Sequence, residues 1–253
     1  MRMTKVKRRC LGVLLTLCMG MSGCREEPVR DRVEWPVMGT VAAVQTRSRT
    51  VSKEALFWIK NAFHRTVEEF DYRDPNSIVN CKKRCSDFGQ PCWDFAQGLK
   101  EATGGAFDPA WRKNGRLDFG AVAKGFAVDV AAETVRRNAA EPAEDLLIDL
   151  GGNLKAVKGD WRVGVKDGAA FVLKEGAACA TSACYFRGNH IADGRTGQPV
   201  TNGLHSVTVI HPSSAMVADG LSTVLFILGK EKGEAFLRER YPEAKAIWID
   251  AGL

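Results

Sequence analysis

The spacing of hydrophobic residues changes along this chain from a helical pattern to an alternating one, and this change limits the folds that the chain can adopt. Residues 52–70 place apolar side chains at helical spacing behind Ser52, which is suited to cap a helix. From residue 161 onward, apolar and polar positions tend to alternate, as they do in half-buried strands. We expect further helices at residues 93–103, 121–140, 215–228 and 232–240, strands at 41–45, 145–150, 161–165, 169–173, 205–210 and 245–249, and a turn-rich loop at 71–80.

The first 24 residues have the order of charge and hydrophobicity that is typical of a secretory signal. Five cations within residues 2–9 precede an apolar run at 11–19. A helix needs about 20 apolar residues to span a bilayer, so this run is too short to be a membrane span. It ends in Met-Ser-Gly-Cys24, and small residues before a cysteine resemble a bacterial lipobox. We therefore expect Cys24 to carry a lipid anchor on the membrane of a bacterial cell envelope, periplasmic in a Gram-negative cell. An ordinary signal peptide with an incidental cysteine is the alternative.

The basic character of the sequence comes mostly from this signal. All 30 acidic residues lie beyond Cys24, and five of the 36 Lys and Arg precede it, which leaves 31 basic residues in the mature chain. The basic and acidic residues beyond Cys24 nearly balance, so the net charge gives no support for a nucleic-acid partner, and we exclude this class. We expect a signal peptide at 1–24, a tether at 25–37 and one domain at 38–253, which is long enough to bury a sizeable core.

Five cysteines remain beyond the signal, and an odd number cannot pair completely. They are Cys81, Cys85, Cys92, Cys179 and Cys184. Disulfides among the first three or between the last two, and free buried thiols, are all compatible with an exported chain. Zinc is disfavoured because the spacings are irregular and no histidine lies near the first three.

Residues 118–129, DFGAVAKGFAVD, place an acid, a glycine turn and a lysine at a predicted helix start. Backbone N–H groups, the positive helix end and the ammonium of Lys124 would then lie close together, which suits a phosphate or pyrophosphate. The alternative is that Asp118 caps the helix and Lys124 is solvated.

Residues 211–229, HPSSAMVADGLSTVLFILG, contain Asp219 and Thr223 four positions apart on a predicted helix. This spacing stacks a carboxylate and a hydroxyl on one face, where they can share a hard cation. A local hydrogen bond between the two side chains is the alternative.

Two further segments have glycine turns that can approach a ligand. His190 precedes an acid and the run Gly194-Arg195-Thr196-Gly197, and Gly151-Gly152-Asn153 follows a predicted strand. Such turns allow backbone to pack against a ring or a phosphate. A surface hairpin and a plain turn explain them equally well.

Seven motifs in this order resemble the FAD:protein FMN transferase family, also called the ApbE family, whose members are often bacterial lipoproteins. They are MGT at 38–40, FDYRDPNSIVN at 70–80, GGAFDP at 104–109, DFGAVAKGFAVD, LIDLGGN at 147–153, HIADGRTGQPV at 190–200 and SVTVIHPSSAMVADGLSTVLFILG at 206–229. The resemblance extends from residue 38 to about residue 250.

The resemblance implies an α+β fold in which mixed β-sheets are flanked by helices and FAD lies between layers. The residues implied in FAD binding are Met38, Tyr72, Ala106, Phe107, Asp108, Asp118, Lys124 and the backbone near Ala192. The implied magnesium ligands are Asp219, Thr223 and the backbone carbonyl of Ala121.

The implied reaction is transfer of the FMN half of FAD to a threonine or serine hydroxyl of an acceptor protein, with release of AMP. The acceptor would be an exported or membrane electron-transfer subunit. Lys124 and the metal would offset charge on the pyrophosphate. His190 is the candidate base, since its unperturbed pKa is near 6.5.

Three features depart from the family pattern. The segment between Asp108 and Asp118 is shorter than in typical members, so one wall of the cleft is expected to be trimmed. The usual Ser-Gly becomes Ser182-Ala183, followed by Cys184, and the usual Asp-Pro-Arg becomes Asp193-Gly194-Arg195.

Three other functions compete with transfer. Water as the nucleophile would give an FAD pyrophosphatase that releases FMN and AMP. A non-catalytic lipoprotein that binds FAD is a second reading. A redox role for the cysteines is the third, and no Cys-x-x-Cys supports it.

Overall fold

The computed structural model describes residues 28–139, 145–165, 170–184 and 191–252. The helices are α1 (Lys53–Phe70), α2 (Ile78–Lys82), α3 (Gln90–Ala102), α4 (Ala123–Asn138), α5 (Ala215–Leu228) and α6 (Lys230–Arg240). The strands are β1 (Asp31–Val37), β2 (Thr40–Thr46), β3 (Leu146–Leu150), β4 (Asn153–Lys158), β5 (Trp161–Gly164), β6 (Ala170–Leu173), β7 (Ala178–Ala183), β8 (Ala192–Asp193), β9 (Gln198–Pro199), β10 (Leu204–His211) and β11 (Lys245–Asp250). Among these described helices, none is both long enough and apolar enough to cross a membrane.

One seven-stranded sheet organises the described residues. Its order is β1-β2-β3-β4-β7-β10-β11, and each neighbouring pair within it is antiparallel. The β5–β6 and β8–β9 hairpins form separate two-stranded sheets. The expected α+β fold with helices against sheets is confirmed.

Successive side chains of β3 point to opposite faces of the sheet, and buried apolar clusters lie on both faces. Ile148 and Leu150 pack in the same cluster as apolar residues of α1 and α4. Leu147, which points the other way, packs with Trp161 and Leu173 of the β5–β6 hairpin. Helices therefore cover one face of the sheet, and the small hairpin covers part of the other.

Helix α4 belongs to both of the large clusters on the helical face. Its first turn contributes Ala123 and Phe126 to the cluster built around α3, α5 and β10. Its later alanines at 127, 131 and 132 pack with α1 and β2. Small side chains let neighbouring helices approach closely, so α4 can lie between α1 and α5.

The tether expected at residues 25–37 is wrong for its second part, because Asp31–Val37 is strand β1. Val33, Trp35 and Val37 are half-buried against α1, and the residues between them are exposed. This period-2 pattern is that of an edge strand with one covered face. The charges between the apolar positions hide it in the sequence.

The remaining differences are short elements with weak signals. Helix α2 forms at the end of the loop expected at 71–80 and continues to Lys82. Strands β4 and β7 were not predicted, because β4 contains two lysines and β7 (ACATSA) consists mostly of small residues with low strand propensity. The other predicted helices and strands are present, with bounds that shift by up to three residues.

Two of the sequence motifs meet where β2 lies beside β3. Met38 and Gly39 form the two-residue β1–β2 turn, and both have positive φ, at 51° and 70°. This backbone matches the twist of a tight hairpin and favours glycine at the second position. Thr40 follows the turn and lies against Gly151, whose φ is 61°.

Gly151→Ala is expected to destabilise the domain more than Gly152→Ala. Both positions have positive φ, which costs a non-glycine residue about 1–3 kcal/mol. A Cβ at 151 would in addition lie 2.5 Å from Thr40 Oγ1, whereas nothing lies within 4 Å of a Cβ at 152. Urea unfolding of the two variants measures the difference, and equal midpoints would contradict the close contact between the motifs.

Candidate active site

A buried carboxylate and a lysine join the start of α4 to the middle of α5. Asp219 is 4% exposed, and its Oδ2 accepts a hydrogen bond from the backbone N–H of Gly125 at 3.0 Å. The Nζ of Lys124 lies 3.2 Å from the same oxygen and 3.3 Å from Oδ1. The N-terminal end of α4 adds its positive dipole to this attraction. The pair thus forms a charged contact between the two helices.

The close approach of α4 and α5 depends on glycine at position 125. A Cβ there would lie 2.2 Å from the carbonyl oxygen of Ala215, at the start of α5. No side chain fits at such a distance from backbone, so the two helices touch directly. The local sequence AKGFA therefore sets the distance at which Lys124 meets Asp219.

Burial dominates the ionisation of Asp219. It raises the pKa of the carboxyl above its ordinary value, and Lys124 and the Gly125 N–H oppose the rise without cancelling it. The ionised form is therefore held at a free-energy cost. A further cation beside the carboxylate would lower that cost.

Three hydroxyls lie along the same face of α5 and the facing strand. Ser182 Oγ of β7 is 2.8 Å from Ser222 Oγ and 3.1 Å from Thr223 Oγ1. Ser222 also donates to the backbone carbonyl of Asp219 at 2.8 Å. Positions 219, 222 and 223 share one helix face, so the carboxylate continues into a row of neutral oxygens.

This donor set fits a hard divalent cation. No group of three or more His, Cys, Asp or Glu converges anywhere in the described ranges, so a cation here would have Asp219 as its one charged ligand. Magnesium in proteins is often held by one or two carboxylates and takes its other oxygens from hydroxyls, carbonyls, substrate phosphates and water. Oxygen ligands of these kinds are present at Asp219, Ser222 and Thr223.

Tyr72 and Asp118 are joined by an arginine that lies between them. The Arg112 guanidinium is 4.1 Å from the Tyr72 ring centre and 4.5 Å from that of Trp111. Its Nε and Nη2 both lie 2.7 Å from Asp118 Oδ2. Cation–π contact and a charge-assisted hydrogen bond fix the same side chain, which is 27% exposed.

Gly120 connects this aromatic group to the Lys124–Asp219 pair. Its N–H donates to Asp118 Oδ1 at 2.9 Å, and its carbonyl accepts from Lys124 Nζ at 2.7 Å. A continuous series of polar contacts therefore runs from Tyr72 to Asp219. These contacts place the carboxylates of Asp118 and Asp219 along one surface, which we call the site wall. Each carboxylate is paired with one cation.

Two glycine-rich turns form the adjoining part of the wall. The N–H of Gly194 donates to the Ala106 carbonyl at 2.8 Å. A Cβ at 194 would lie 2.6 Å from the Gly105 carbonyl oxygen and 2.7 Å from Asp108 Cβ. This contact favours glycine at position 194, because a larger residue needs more space and proline would also lack the N–H that donates to the Ala106 carbonyl.

A second buried ion pair fixes the start of α5. Asp129 of α4 accepts hydrogen bonds from Ser214 Oγ at 2.7 Å and from the N–H groups of Ala215 and Met216 at 2.9 and 3.0 Å. Lys155 of β4, whose side chain is 4% exposed, donates to Asp129 at 2.7 Å. Asp129 therefore holds α5 in place one turn before Asp219.

The sequence profile of the ApbE family matches residues 110–248, which include Arg112, Asp118, Lys124 and Asp219 but not Tyr72. The chain belongs to the ApbE family. A relative from Klebsiella pneumoniae (strain 342), named FAD:protein FMN transferase, is 40% identical over 139 residues, or 49% of this chain and 42% of that protein. Another of that name from Treponema pallidum (strain Nichols) is 33% identical over 162 residues, or 53% and 43%.

The chain thus spans less than half the length of these two curated relatives. Its fold matches a solved structure over a greater length. The apo flavinyl transferase ApbE of Pseudomonas stutzeri superposes with a TM-score of 0.72 at 20% identity, over 88% of this chain and 92% of the other. At this identity the likeness shows the fold.

In this ApbE-family chain, several of the predicted site residues lie together. Lys124 contacts Asp219, and Thr223 follows one turn along α5. The hydroxyl of Thr223 pairs with Ser182. At the start of α4 the carbonyl that accepts from Lys124 is that of Gly120, directly before Ala121. The ligand roles of these residues remain predictions.

The side chains of the other predicted FAD-binding residues are buried, half-buried or already paired. Ala106 and Phe107 are buried, and Phe107 packs in the core. The carboxylate of Asp108 is engaged by Lys100 at 3.0 Å and by a neighbouring backbone N–H. Ala192 is half-buried in β8, and Met38 packs against both large clusters.

Two predicted residues lie outside the described ranges. They are the candidate base His190 and the candidate lipidation site Cys24. Another histidine, His211, has a structural role, since its Nδ1 accepts from the N–H groups of Ser213 and Ser214. Burial lowers the pKa of His211 below its usual value, although Glu243 opposes the shift.

The five cysteines in the described residues are free thiols. Cys92 and Cys179 are buried, and desolvation raises the pKa of Cys179 to about 12. Cys81 is exposed, and Cys85 and Cys184 are half-buried. Of the alternatives for these residues, the structure has free thiols and no disulfide among them.

The sequence alone indicates no role for Arg112, Gly125 or Asp129. Arg112 lies in the segment before Asp118, where no local pattern points to its partner. Gly125 and Asp129 lie in the DFGAVAKGFAVD motif, but their spacing indicates no partner either. Their contacts depend on the packing of α4 against α5.

Asp219→Asn is expected to raise the thermal midpoint of the metal-free protein at neutral pH. Burial raises the pKa of Asp219, so its ionised form destabilises the folded state above that pKa. The advantage of asparagine should disappear as the pH falls through the native pKa, because the wild-type carboxyl is then also neutral. Differential scanning fluorimetry between pH 4 and 8 measures the difference in thermal midpoint between the wild type and the variant.

Asp160→Asn is the matched control for this measurement. Asp160 is exposed, and hydrogen bonds with Lys174 and Glu175 lower its pKa, so its loss should lower or leave unchanged the midpoint at neutral pH. A lower midpoint for Asp219→Asn would instead show that the contact with Lys124 outweighs desolvation.

Proposed function

We propose that this chain transfers the FMN half of FAD to a threonine or serine hydroxyl of an acceptor protein and releases AMP, with magnesium as the metal. The observation that carries the proposal is the buried Asp219–Lys124 pair, continued by hydroxyls along α5, within the segment matched by the ApbE profile. The names of the curated relatives support the same activity.

Asp219, Thr223 and backbone carbonyls near Ala121 would hold the magnesium. Bound there, it would neutralise charge on the pyrophosphate and orient it for substitution. The donor set is entirely oxygen, and a cation would relieve the desolvation of Asp219. The role of the carboxylate is therefore distinct from that of Asp118, which already has Arg112 at 2.7 Å.

Lys124 would hold the pyrophosphate beside this carboxylate. Its Nζ lies 3.2 Å or more from both Asp219 oxygens, long for a charge-assisted hydrogen bond, which leaves donor capacity for phosphate oxygens. The ring of Tyr72 and the Arg112 guanidinium would bind the aromatic and polar parts of FAD. The backbone of residues 105–108 would line the adjoining wall.

In the proposed reaction the acceptor hydroxyl oxygen attacks the phosphorus on the riboflavin side of FAD. A new P–O bond forms to the acceptor, the bond to the AMP phosphate breaks, and the hydroxyl proton passes to a base. We assign His190 as that base. Positioning of the reacting groups by this wall supplies much of the acceleration.

Residues 1–24 support a location in the bacterial cell envelope. Cys24 would carry the lipid that anchors the domain to a membrane. An acceptor on that side of the membrane, such as an exported or membrane electron-transfer subunit, would then be accessible to the site.

Incubation with FAD, magnesium and a candidate acceptor protein is expected to add one FMN to the acceptor and release AMP in equal amount. Intact-protein mass spectrometry of the acceptor and chromatography of the nucleotides measure the two products. Asp219→Asn should lower the rate at least about 100-fold, because a charge-stabilising site is lost. Asp160→Asn is the control and should retain activity.

Two results would point to other functions. Free FMN that forms at the same rate with and without acceptor would favour a pyrophosphatase. FAD that stays intact for many hours with magnesium would favour a binding lipoprotein. Magnesium should also raise the thermal midpoint of the wild type but not of Asp219→Asn, and equal shifts would place the metal elsewhere.

His190→Ala is expected to lower the transfer rate about 100-fold or more at neutral pH, because a positioned base contributes about 10²–10⁴-fold. In the wild type the rate should rise with pH through the histidine pKa, as the neutral imidazole forms. The variant should lack this rise. A parent-like rate across pH 5–9 would assign the base to another group.

A further inference from the structure

Two segments beside Tyr72 carry an excess of positive charge. Residues 71–84 and 109–118 together contain seven Lys and Arg and three Asp. The cations are Arg73, Lys82, Lys83, Arg84, Arg112, Lys113 and Arg116. We call this surface the basic rim. Since the chain beyond residue 24 has 31 basic and 30 acidic residues, the excess is a local feature of the surface.

Hydrogen bonds join the two segments into one surface. Lys83 Nζ donates to the Gly115 carbonyl at 2.9 Å, and Arg116 Nη1 donates to the Arg73 carbonyl at 2.9 Å. The N–H of Leu117 donates to Asn80 Oδ1 at 2.9 Å. The cations are therefore held on neighbouring loops by contacts with neutral groups.

Most of these cations have no carboxylate partner. Arg73 pairs with Asp71, and Arg112 pairs with Asp118. Within the described ranges, the other five form no salt bridge. One unpaired acid, Asp74, is interleaved with them and caps its own turn.

Some exposed cations elsewhere in the described ranges are paired, such as Lys158 with Glu175 and Arg137 with Glu133. Other cations are unpaired, as on α6, but that helix (KEKGEAFLRER) interleaves four cations with three acids. The basic rim differs in having five unpaired cations for one unpaired acid. Like charges on one surface raise the local potential and destabilise the free protein slightly, and an acidic partner relieves both effects.

The basic rim reaches the candidate site directly. Arg116 Nη1 lies 3.3 Å from the Tyr72 carbonyl oxygen, and Arg112 contacts both the Tyr72 ring and Asp118. A segment bound along the rim would therefore lie next to the wall where the proposed reaction takes place.

We propose that the basic rim docks an acidic segment of the acceptor protein and so delivers its hydroxyl to the site. The inference rests on the proposed transferase function and extends it to the choice of acceptor. A protein segment fits better than a lipid surface, because Lys83 and Arg116 are fixed in direction by their carbonyl contacts and can match carboxylates at defined positions. A flat bilayer on the rim would also block the entry of the acceptor.

The triple variant Lys82→Glu, Arg84→Glu and Lys113→Glu tests the docking surface. These three side chains are exposed, form no salt bridge with a described residue, and do not contact Tyr72 or Asp118. Lys230→Glu, Lys232→Glu and Arg238→Glu on α6 form the matched control, with the same residue types, exposure and change in charge.

The probe is a fluorescein-labelled 15-residue peptide with one central threonine flanked by aspartates, and its counterpart with asparagines. Fluorescence anisotropy should show salt-sensitive binding of the acidic peptide to the wild type, weakened at least about tenfold in the rim variant and less than about twofold in the α6 variant. The asparagine peptide should bind weakly to all three proteins.

Three results would overturn the proposal. They are no measurable binding of the acidic peptide to the wild type, equal weakening by both triple variants, or binding of the rim to anionic phosphatidylglycerol vesicles in preference to the peptide. Vesicle co-sedimentation at the same ionic strength measures the last.

Failure of docking and failure of transfer are separable. The Michaelis constant for FAD, measured by AMP release, should be the same in the rim and α6 variants, since neither touches the FAD wall. If the rim variant released AMP normally and also bound the acidic peptide as well as the wild type does, docking alone would be refuted. Peptide binding by the rim without any FAD turnover would refute the transferase function alone.

Discussion

Direct contact between α4 and α5 is the constraint on which the candidate site depends. With no side chain at Gly125, the backbone of α4 meets the Ala215 carbonyl of α5. This contact brings the first turn of α4 to Asp219, where an N–H and an ammonium share one buried carboxylate. Desolvation still makes the ionised carboxylate unfavourable in the core, although these two donors reduce the cost. A cation bound beside Asp219 would reduce it further.

The same pair of helices is tied a second time by Asp129. This residue receives the free N–H groups at the start of α5 and is itself balanced by Lys155 from β4. The sheet, α4 and α5 are therefore linked by a buried charge pair as well as by apolar packing. Displacement of α5 would break both contacts, so the geometry of Asp219 is coupled to the core of the domain.

The sequence predicted most helices, because helical spacing is a local pattern. The candidate site residues came partly from such spacing and partly from the family resemblance, and their binding roles remain predictions. Ser52 caps α1 as expected, and the spacing of Asp219 and Thr223 places them on one face of α5. Strand β1 lies where the sequence predicts a tether, because its apolar residues alternate with charges. The contact of Arg112 with Tyr72 could not be predicted, since it requires two loops about 40 positions apart to meet. Such contacts are set by tertiary packing and leave no periodic signal.

Strand β1 also limits the distance between the domain and a lipid anchor at Cys24. The hairpin fixes Asp31 to the edge of the sheet, so only the residues from 25 to 30 separate it from Cys24. A fully extended chain advances at most about 3.6 Å per residue, so seven steps span no more than about 25 Å. With a lipid on Cys24, Asp31 at the edge of the sheet would lie within that distance of the bilayer surface. The reach of the site above the membrane would then be set by this short tether and the size of the domain, so an acceptor would also be selected by the height at which it presents its hydroxyl.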